Sequence, residues 1–233
     1  MKSKFFFLTI LILSFLIANP VLAEEKVREV SPFSKIALKV DAKVYLEQGD
    51  KQNVRIETSS ETLEALITEV KDRTLNIRFP NKNMFKKWDP GKIEIYISVP
   101  DIDGLNVSGS GDIISEQINS RILDLVVSGS GNIEIEKLNS EVINASVSGS
   151  GNIKIEEGGV AETFKVRTSG SGNVDAGGFE ANNVDVQTSG SGNCHITSNG
   201  KITAKIAGSG NVYYSGNPAI DSSVAGSGGV KKR

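Results

Sequence analysis

From Leu105 onward, apolar and polar side chains alternate with period two, and the alternation halts at regularly spaced glycines. Two, four and six residues ahead of each halt stand apolar or β-branched side chains: Val127, Leu125 and Leu123 before Gly129; Val147, Ala145 and Ile143 before Gly149; Thr168, Val166 and Phe164 before Gly170. Thr188, Val186 and Val184, then Ile206, Ala204 and Ile202, continue the series. The intervening positions are mostly polar, as with Asp124, Asn144, Lys165, Arg167, Asp185, Gln187 and Lys205. Beyond each halt a shorter run repeats the pattern, with Ile133 and Ile135, Ile153 and Ile155, Val174 and Ala176, then Val212 and Tyr214 on one side. Period two predicts strands with one buried face.

The halts are copies of Ser-Gly-Ser-Gly, with Ala in first place at Ala207 and Ala225. Their first glycines are Gly109, Gly129, Gly149, Gly170, Gly190, Gly208 and Gly226, at intervals of 20, 20, 21, 20, 18 and 18 residues. A unit of strand, corner, strand and return loop cannot bury its apolar face alone, and stacking copies in register buries it. The columns are then Val107, Val127, Val147, Thr168, Thr188, Ile206 and Val224 on one sheet, and Ile113, Ile133, Ile153, Val174, Cys194, Val212 and Val230 on the other. The predicted fold is all-β, a flattened two-sheet parallel β-solenoid. Its structural turns are Gly109, Gly111, Gly129, Gly131, Gly149, Gly151, Gly170, Gly172, Gly190, Gly192, Gly208 and Gly210. Reversal between two close sheets calls for positive φ, which glycine adopts freely and Asn or Asp next best. Asp112, Asn132, Asn152, Asn173, Asn193 and Asn211 follow the second glycine and form a side-chain ladder, which Gly229 breaks.

Residues 24–101 lack these corners but keep the alternation. Phe33, Ile36, Leu38 and Val40, then Val44 and Leu46 leading into Gln48-Gly49-Asp50 and on to Val54 and Ile56, read as hairpin-like strand pairs. Ser60 to Leu66, with Ser as N-cap and Leu63, Leu66 and Ile67 at helical spacing, reads as one short helix. Val70 to Phe79 and Ile93 to Val99 resume the strands. This β-rich part is expected to cap the solenoid, whose strand edges would otherwise stay open to other chains. Upstream, Lys2 and Lys4, the apolar run Phe5 to Ile17 and a small-residue site ending at Ala23 describe a secretory signal peptide over 1–23. The organisation is therefore leader (1–23), capping part (24–101) and seven-copy solenoid (102–233), the last two one continuous domain. No other run is apolar enough to span a bilayer.

Between Pro80 and Lys92 lie Lys82, Met84, Phe85, Lys86, Lys87 and Trp88. Either Phe85 and Trp88 fold back on the cap, or Phe85, Lys87 and Trp88 form a ligand patch in which Trp88 stacks on a sugar or partner. The whole chain has a formal charge of −2, and removal of the leader leaves 24 basic against 28 acidic residues, or −4. With signs alternating on outward positions, nucleic acid is not an expected partner. The single Cys194 allows no internal disulfide. Alternation sends Cys194 inward and His195 outward, so the two do not converge on a metal. Asp112 alone supplies an acid after a corner, which argues against calcium, and neither a metal nor another cofactor is called for.

The leader, the non-repetitive start and the S-G-S-G-N corners at Gly129, Gly149, Gly170 and Gly190 resemble the putative auto-transporter adhesin, head GIN domain family, over roughly Phe33 to Ser215. The resemblance implies a β-superhelix with glycine corners between sheets, and an adhesive, non-enzymatic role toward a host or cell-surface glycan or protein. The leader over 1–23 places the mature chain outside the cytoplasm, in the periplasm, on the outer surface or secreted. A carbohydrate-active enzyme of the pectin-lyase-like kind is the alternative, with Asp124, Glu134, Lys154, Arg167, Asp175, Asp185 and Lys205 as outward candidates, although these form only scattered pairs. A periplasmic structural or sensing module is the third reading. The last coil, ending in Lys231-Lys232-Arg233, is either blunted by charge or buried against a second copy as a homo-oligomer.

Overall fold

The computed structural model describes residues 24–80 and 89–233. The first part of the chain forms β1 (Glu24–Val27), β2 (Lys35–Leu38), β3 (Lys43–Gln48), β4 (Asn53–Thr58), α1 (Ser60–Ala65), β5 (Ile67–Lys71), β6 (Thr74–Arg78) and β7 (Glu94–Val99). The repeats form β8 (Gly104–Gly109), β9 (Asp112–Gly129), β10 (Asn132–Gly149), β11 (Asn152–Gly158), β12 (Val160–Gly170), β13 (Asn173–Gly190), β14 (Cys194–Thr197), β15 (Lys201–Gly208), β16 (Asn211–Ser215), β17 (Ala219–Gly226) and β18 (Gly229–Lys232).

Successive coils pair in parallel and in register, giving a β-solenoid of about 6 turns. Val127 lies beside Val107 and Val147, and Ile133 beside Ile113 and Ile153. The predicted columns are buried from Val107 to Ile206 and from Ile113 to Val212. Thr168 and Thr188 sit in the first column because each satisfies the other: the Thr168 hydroxyl donates to Thr188 Oγ1 at 2.9 Å. Val224 keeps its register against Ile206 but is 43% exposed, since β17 pairs only with β15 among the described strands.

At the corners the stack leaves no room for a Cβ on either glycine from Gly129 onward, and the first has a second reason to be glycine. Only the first takes positive φ, between 112° and 135° in all seven corners, where a Cβ carries a steric penalty. The second is excluded from any other identity by the stack. A Cβ on Gly151 would fall on the carbonyl oxygen of Gly131 and 2.6 Å from a Val127 methyl. The Asn residues that follow are not at positive φ, which corrects one reason given for them. Their ladder is real and doubly bonded: Asn132 Oδ1 accepts the side-chain amide of Asn152 at 2.9 Å and its backbone N–H at 3.1 Å. The same pair of bonds recurs from Asn132 to Asp112 and from Asn173 to Asn152. At Gly229 the ladder stops, and Asn211 Oδ1 is left buried without a hydrogen-bond partner among the described residues.

The return between the sheets is more regular than the loop predicted. β9 and β10 stay in register from Asp112 and Asn132 through to Gly129 and Gly149, with Ile118 and Leu138 turned inward as a third short column. In the next coil Gly158 holds that position, and the Phe179 ring occupies the space a side chain would take. Phe179 meets Phe164 edge to face at 6.3 Å.

The N-terminal part covers the first repeat by continuing it. Leu38 of β2 pairs with Val107, and Val44 of β3 with Ile113, so β2 and β3 form a coil against β8 and β9. β6 and β7 then lie on the far side of that coil, pairing in parallel with β2 and β3. Spatial order therefore departs from chain order. The hairpin expected across Gln48-Gly49-Asp50 does not form: β7 lies between β3 and β4, parallel to the first and antiparallel to the second. Alternation fixes which side of a strand is buried and leaves its neighbour open. β1 pairs antiparallel with β4, and β5 with β6, while α1 starts from Ser59, one residue before the predicted cap, whose hydroxyl accepts Thr62 N–H at 3.3 Å. The Arg28 guanidinium donates to the carbonyl of Leu63 and ties this helix to the start of the chain.

Two outcomes check this account. Gly151→Ala should lower stability by about 1–3 kcal/mol through overpacking against the neighbouring coil, read as a lower denaturant midpoint, whereas Ser150→Ala at an exposed corner position should leave it unchanged within a few tenths. Cys194 is fully buried and burial pushes its thiol up, so a thiol reagent should label it only under denaturing conditions.

Candidate functional site

Every second residue of a strand points away from the core, and on the sheet that carries β3 and β7 these residues form continuous rows. Beside the N-terminal coils one row reads Arg55, Tyr96, Tyr45 and Ile114, from β4, β7, β3 and β9. Strand spacing brings the two tyrosines ring to ring, with centroids 5.1 Å apart and planes inclined by 17°. Arg55 lies on the β4 side of the pair, its guanidinium 4.0 Å from the Tyr96 centroid. It is held there by Glu57 and by Glu25 at 3.3 Å. The Tyr45 hydroxyl donates to Glu94 Oε1 at 3.3 Å, and Lys92 pairs with Glu94 at 2.9 Å. The hydrogen bond from Lys92 draws the Glu94 carboxyl below its ordinary range, and the same bond raises the Lys92 ammonium.

This row floors a groove of about 860 Å3 walled by Gln48, Asn53, Ser98, Glu116, Gln117 and Asn119. Gln48 is fixed in place: its Nε2 donates to Asn119 O at 3.0 Å and its Oε1 accepts Asn119 N–H at 2.6 Å. Because one face of Tyr96 meets Tyr45 and the other meets Arg55, a ligand would find ring edges, phenol hydroxyls and amides. That suits recognition of a polar surface.

Phe85, Lys87 and Trp88 lie outside the described residues. Just after them the chain is anchored, with the Thr62 hydroxyl donating to Pro90 O at 2.8 Å and the Thr58 hydroxyl to Lys92 O at 3.0 Å. The turn glycines line one edge of the rod and offer only backbone. Cys194 is inward and His195 outward, the latter 3.6 Å from Asp175 and edge-on to Tyr213 at 5.1 Å. Of the outward charged candidates, Glu134, Lys154 and Asp175 share a row with His195 on one sheet. Asp124, Asp185, Arg167 and Lys205 lie on the other sheet, with Gln187 separating the last two. Among the described residues no group of three or more His, Cys, Asp or Glu could hold a metal ion. Sequence reasoning passed over Tyr45, Tyr96 and Arg55. The signal was present in the outward tyrosines of Val44-Tyr45-Leu46 and Ile95-Tyr96-Ile97, but their adjacency depends on a non-local pairing.

An in-register β-solenoid with glycine corners and polar-aromatic outer faces is the class these features define. The chain belongs to the family described as "Putative auto-transporter adhesin, head GIN domain", whose model matches residues 32–218. Among solved structures it is similar to a "putative adhesin" from Bacteroides fragilis, with 27% identity, a TM-score of 0.84 and coverage of 91% of this chain and 97% of that one. A "putative lipid binding protein" from Parabacteroides distasonis (22% identity, TM-score 0.73, 91% and 97% covered) shares the fold. So does a "putative adhesin" from Parabacteroides merdae (21%, 0.72, 91% and 96%). No curated protein matches the chain.

The stacked row has a titration signature. Burial, aided by the charges of Glu57 and Glu94, raises the Tyr96 phenol above its ordinary value of 10.0. Phenol protonation thus favours the native state, a contribution complete below pH 10.0 and lost as pH climbs through the native value. Alkaline absorbance titration should show a late-ionising phenol that Tyr96→Phe removes.

Proposed function

We propose that the protein is an exported, non-enzymatic surface-binding module of the bacterial envelope, which holds a cell-surface glycan or protein in the groove over Tyr45 and Tyr96. The observation that carries this reading is the groove itself, a fixed polar-aromatic surface assembled from four strands. Membership of an adhesin-described family supports the adhesive role, and the leader read over 1–23 supports export. The segment with Phe85, Lys87 and Trp88 precedes β7 by only a few residues and is proposed as an additional contact.

The test is adherence of purified protein to bacterial and epithelial cells and to a glycan array, with product analysis for polysaccharide cleavage. Binding without turnover is expected. Tyr45→Ala with Tyr96→Ala should weaken it about tenfold or more, as central aromatic contacts do, and Trp88→Ala should weaken it further. Cleavage of a glycan would instead favour the carbohydrate-active reading. Binding unaltered by both tyrosine changes in a folded protein would remove the groove from the function.

A further inference from the structure

The sheet on the opposite side of the core carries a second, chemically different groove. Its outward row across β10, β12, β13, β15 and β17 reads Ser146, Arg167, Gln187, Lys205 and Ser223. The adjoining row, next to the corners, reads Ser148, Ser169, Ser189, Ala207 and Ala225. Together they line an open groove of about 580 Å3 that runs along the rod. The side chains of Arg167 and Lys205 are exposed, and neither has an ion pair or hydrogen bond among the described residues. Lys137 and Lys154 of the repeats are paired, with Glu157 at 3.2 Å and Glu156 at 2.7 Å, whereas Arg167 and Lys205 face one groove together. The nearest carboxylate row, to one side, contains Asp185, which accepts the Gln187 amide at 3.4 Å and has Lys165 beside it on the preceding coil.

We infer that this groove binds a linear acidic polysaccharide laid lengthwise along the rod. Its carboxylates pair with Arg167 and Lys205, and its hydroxyls meet Gln187 and the serine row. Two free cations over a floor of small hydroxyls, in a chain of net charge −2, are complementary to a polyanion whose backbone is itself rich in hydroxyls. The spacing agrees: Arg167 and Lys205 lie two coils apart, about 10 Å at the strand separation of a sheet, close to the disaccharide repeat of an extended polyuronide. The outward side chains of these two rows include no aliphatic group larger than Ala. This inference concerns other residues on another face and does not rest on the role proposed for Tyr45 and Tyr96.

Calorimetric titration of the full chain with oligogalacturonate tests it, beside the methyl-esterified oligomer, which keeps the backbone and loses the charge. Wild type should bind the acid form, more weakly as salt rises, and not the ester. Arg167→Gln and Lys205→Gln should each weaken binding about tenfold, while Lys51→Gln, an exposed lysine at the cap, should not change it. Arg167→Lys should retain much of the affinity, which separates charge recognition from damage to the fold. Failure of wild type to bind at low salt overturns the proposal, as does equal binding by a folded double variant. So would phosphatidylglycerol vesicles or a single-stranded oligonucleotide binding as tightly with the same dependence on Arg167 and Lys205, since the surface would then be a general anion attractor.

Discussion

The controlling constraint is the fixed separation of hydrogen-bonded strands, about 4.8 Å, repeated from coil to coil along the rod, with the register shifting between Ala176 and Glu180 where β13 meets β14. Each residue has, as its axial neighbour, the residue at the same position one coil away. Where the Cα–Cβ bond would point along the axis there is room for hydrogen alone, which is why the second corner glycine recurs from Gly111 to Gly228. Where the bond points into the core, apolar side chains stack on their own kind. Where it points outward, nothing in the stack restricts identity. Glycine, core and variable surface thus follow from one distance.

The same distance organises the polar ladder. An Asn at each coil can accept two hydrogen bonds at Oδ1 and donate from its amide to the coil before it, so an interior Asn is satisfied from both sides. The ends of the ladder show what the rule demands. Asp112 begins it, needing only to accept from Asn132, and on its other side stands Lys43, a cation with no need of an amide. Gly229 ends it and leaves Asn211 Oδ1 without a partner among the described residues. A buried amide oxygen without a hydrogen bond costs about 1–3 kcal/mol, so the last coil is held less firmly than those before it.

How much of this could be read from the chain follows from what is local. The direction of each side chain in the repeats, the identity of the corners and the burial of Cys194 are properties of period and spacing, and Val127 does lie on Val147. The return run with Leu138 and Phe179 hides a third column because one inward residue per coil makes no period. The order of coils at the N-terminus is invisible for another reason: β2 and β3 alternate just as β6 and β7 do, so nothing local says which pair touches β8 and β9. The stacked tyrosines inherit that difficulty, since Tyr45 and Tyr96 are far apart in sequence and become neighbours only through the β3–β7 pairing. The segment holding Phe85, Lys87 and Trp88 lies outside the described residues, and its reading stays a matter of sequence.

Division of labour between inward and outward positions bears on how such a rod acquires function. Inward columns tolerate little change, because a substitution is felt by the coil on each side. Outward rows are read coil by coil, as in Glu134, Lys154, Asp175, His195 and Tyr213, which share a row and little chemistry. Specificity can therefore be written on this lattice at small cost to stability, and only where several adjacent coils agree does a surface extended enough to hold a ligand arise. Such stretches include the aromatic row beside the N-terminal coils and the serine-lined cationic row on the opposite sheet. Separated by the core, they share no side chain, so one can be occupied or altered without disturbing the other.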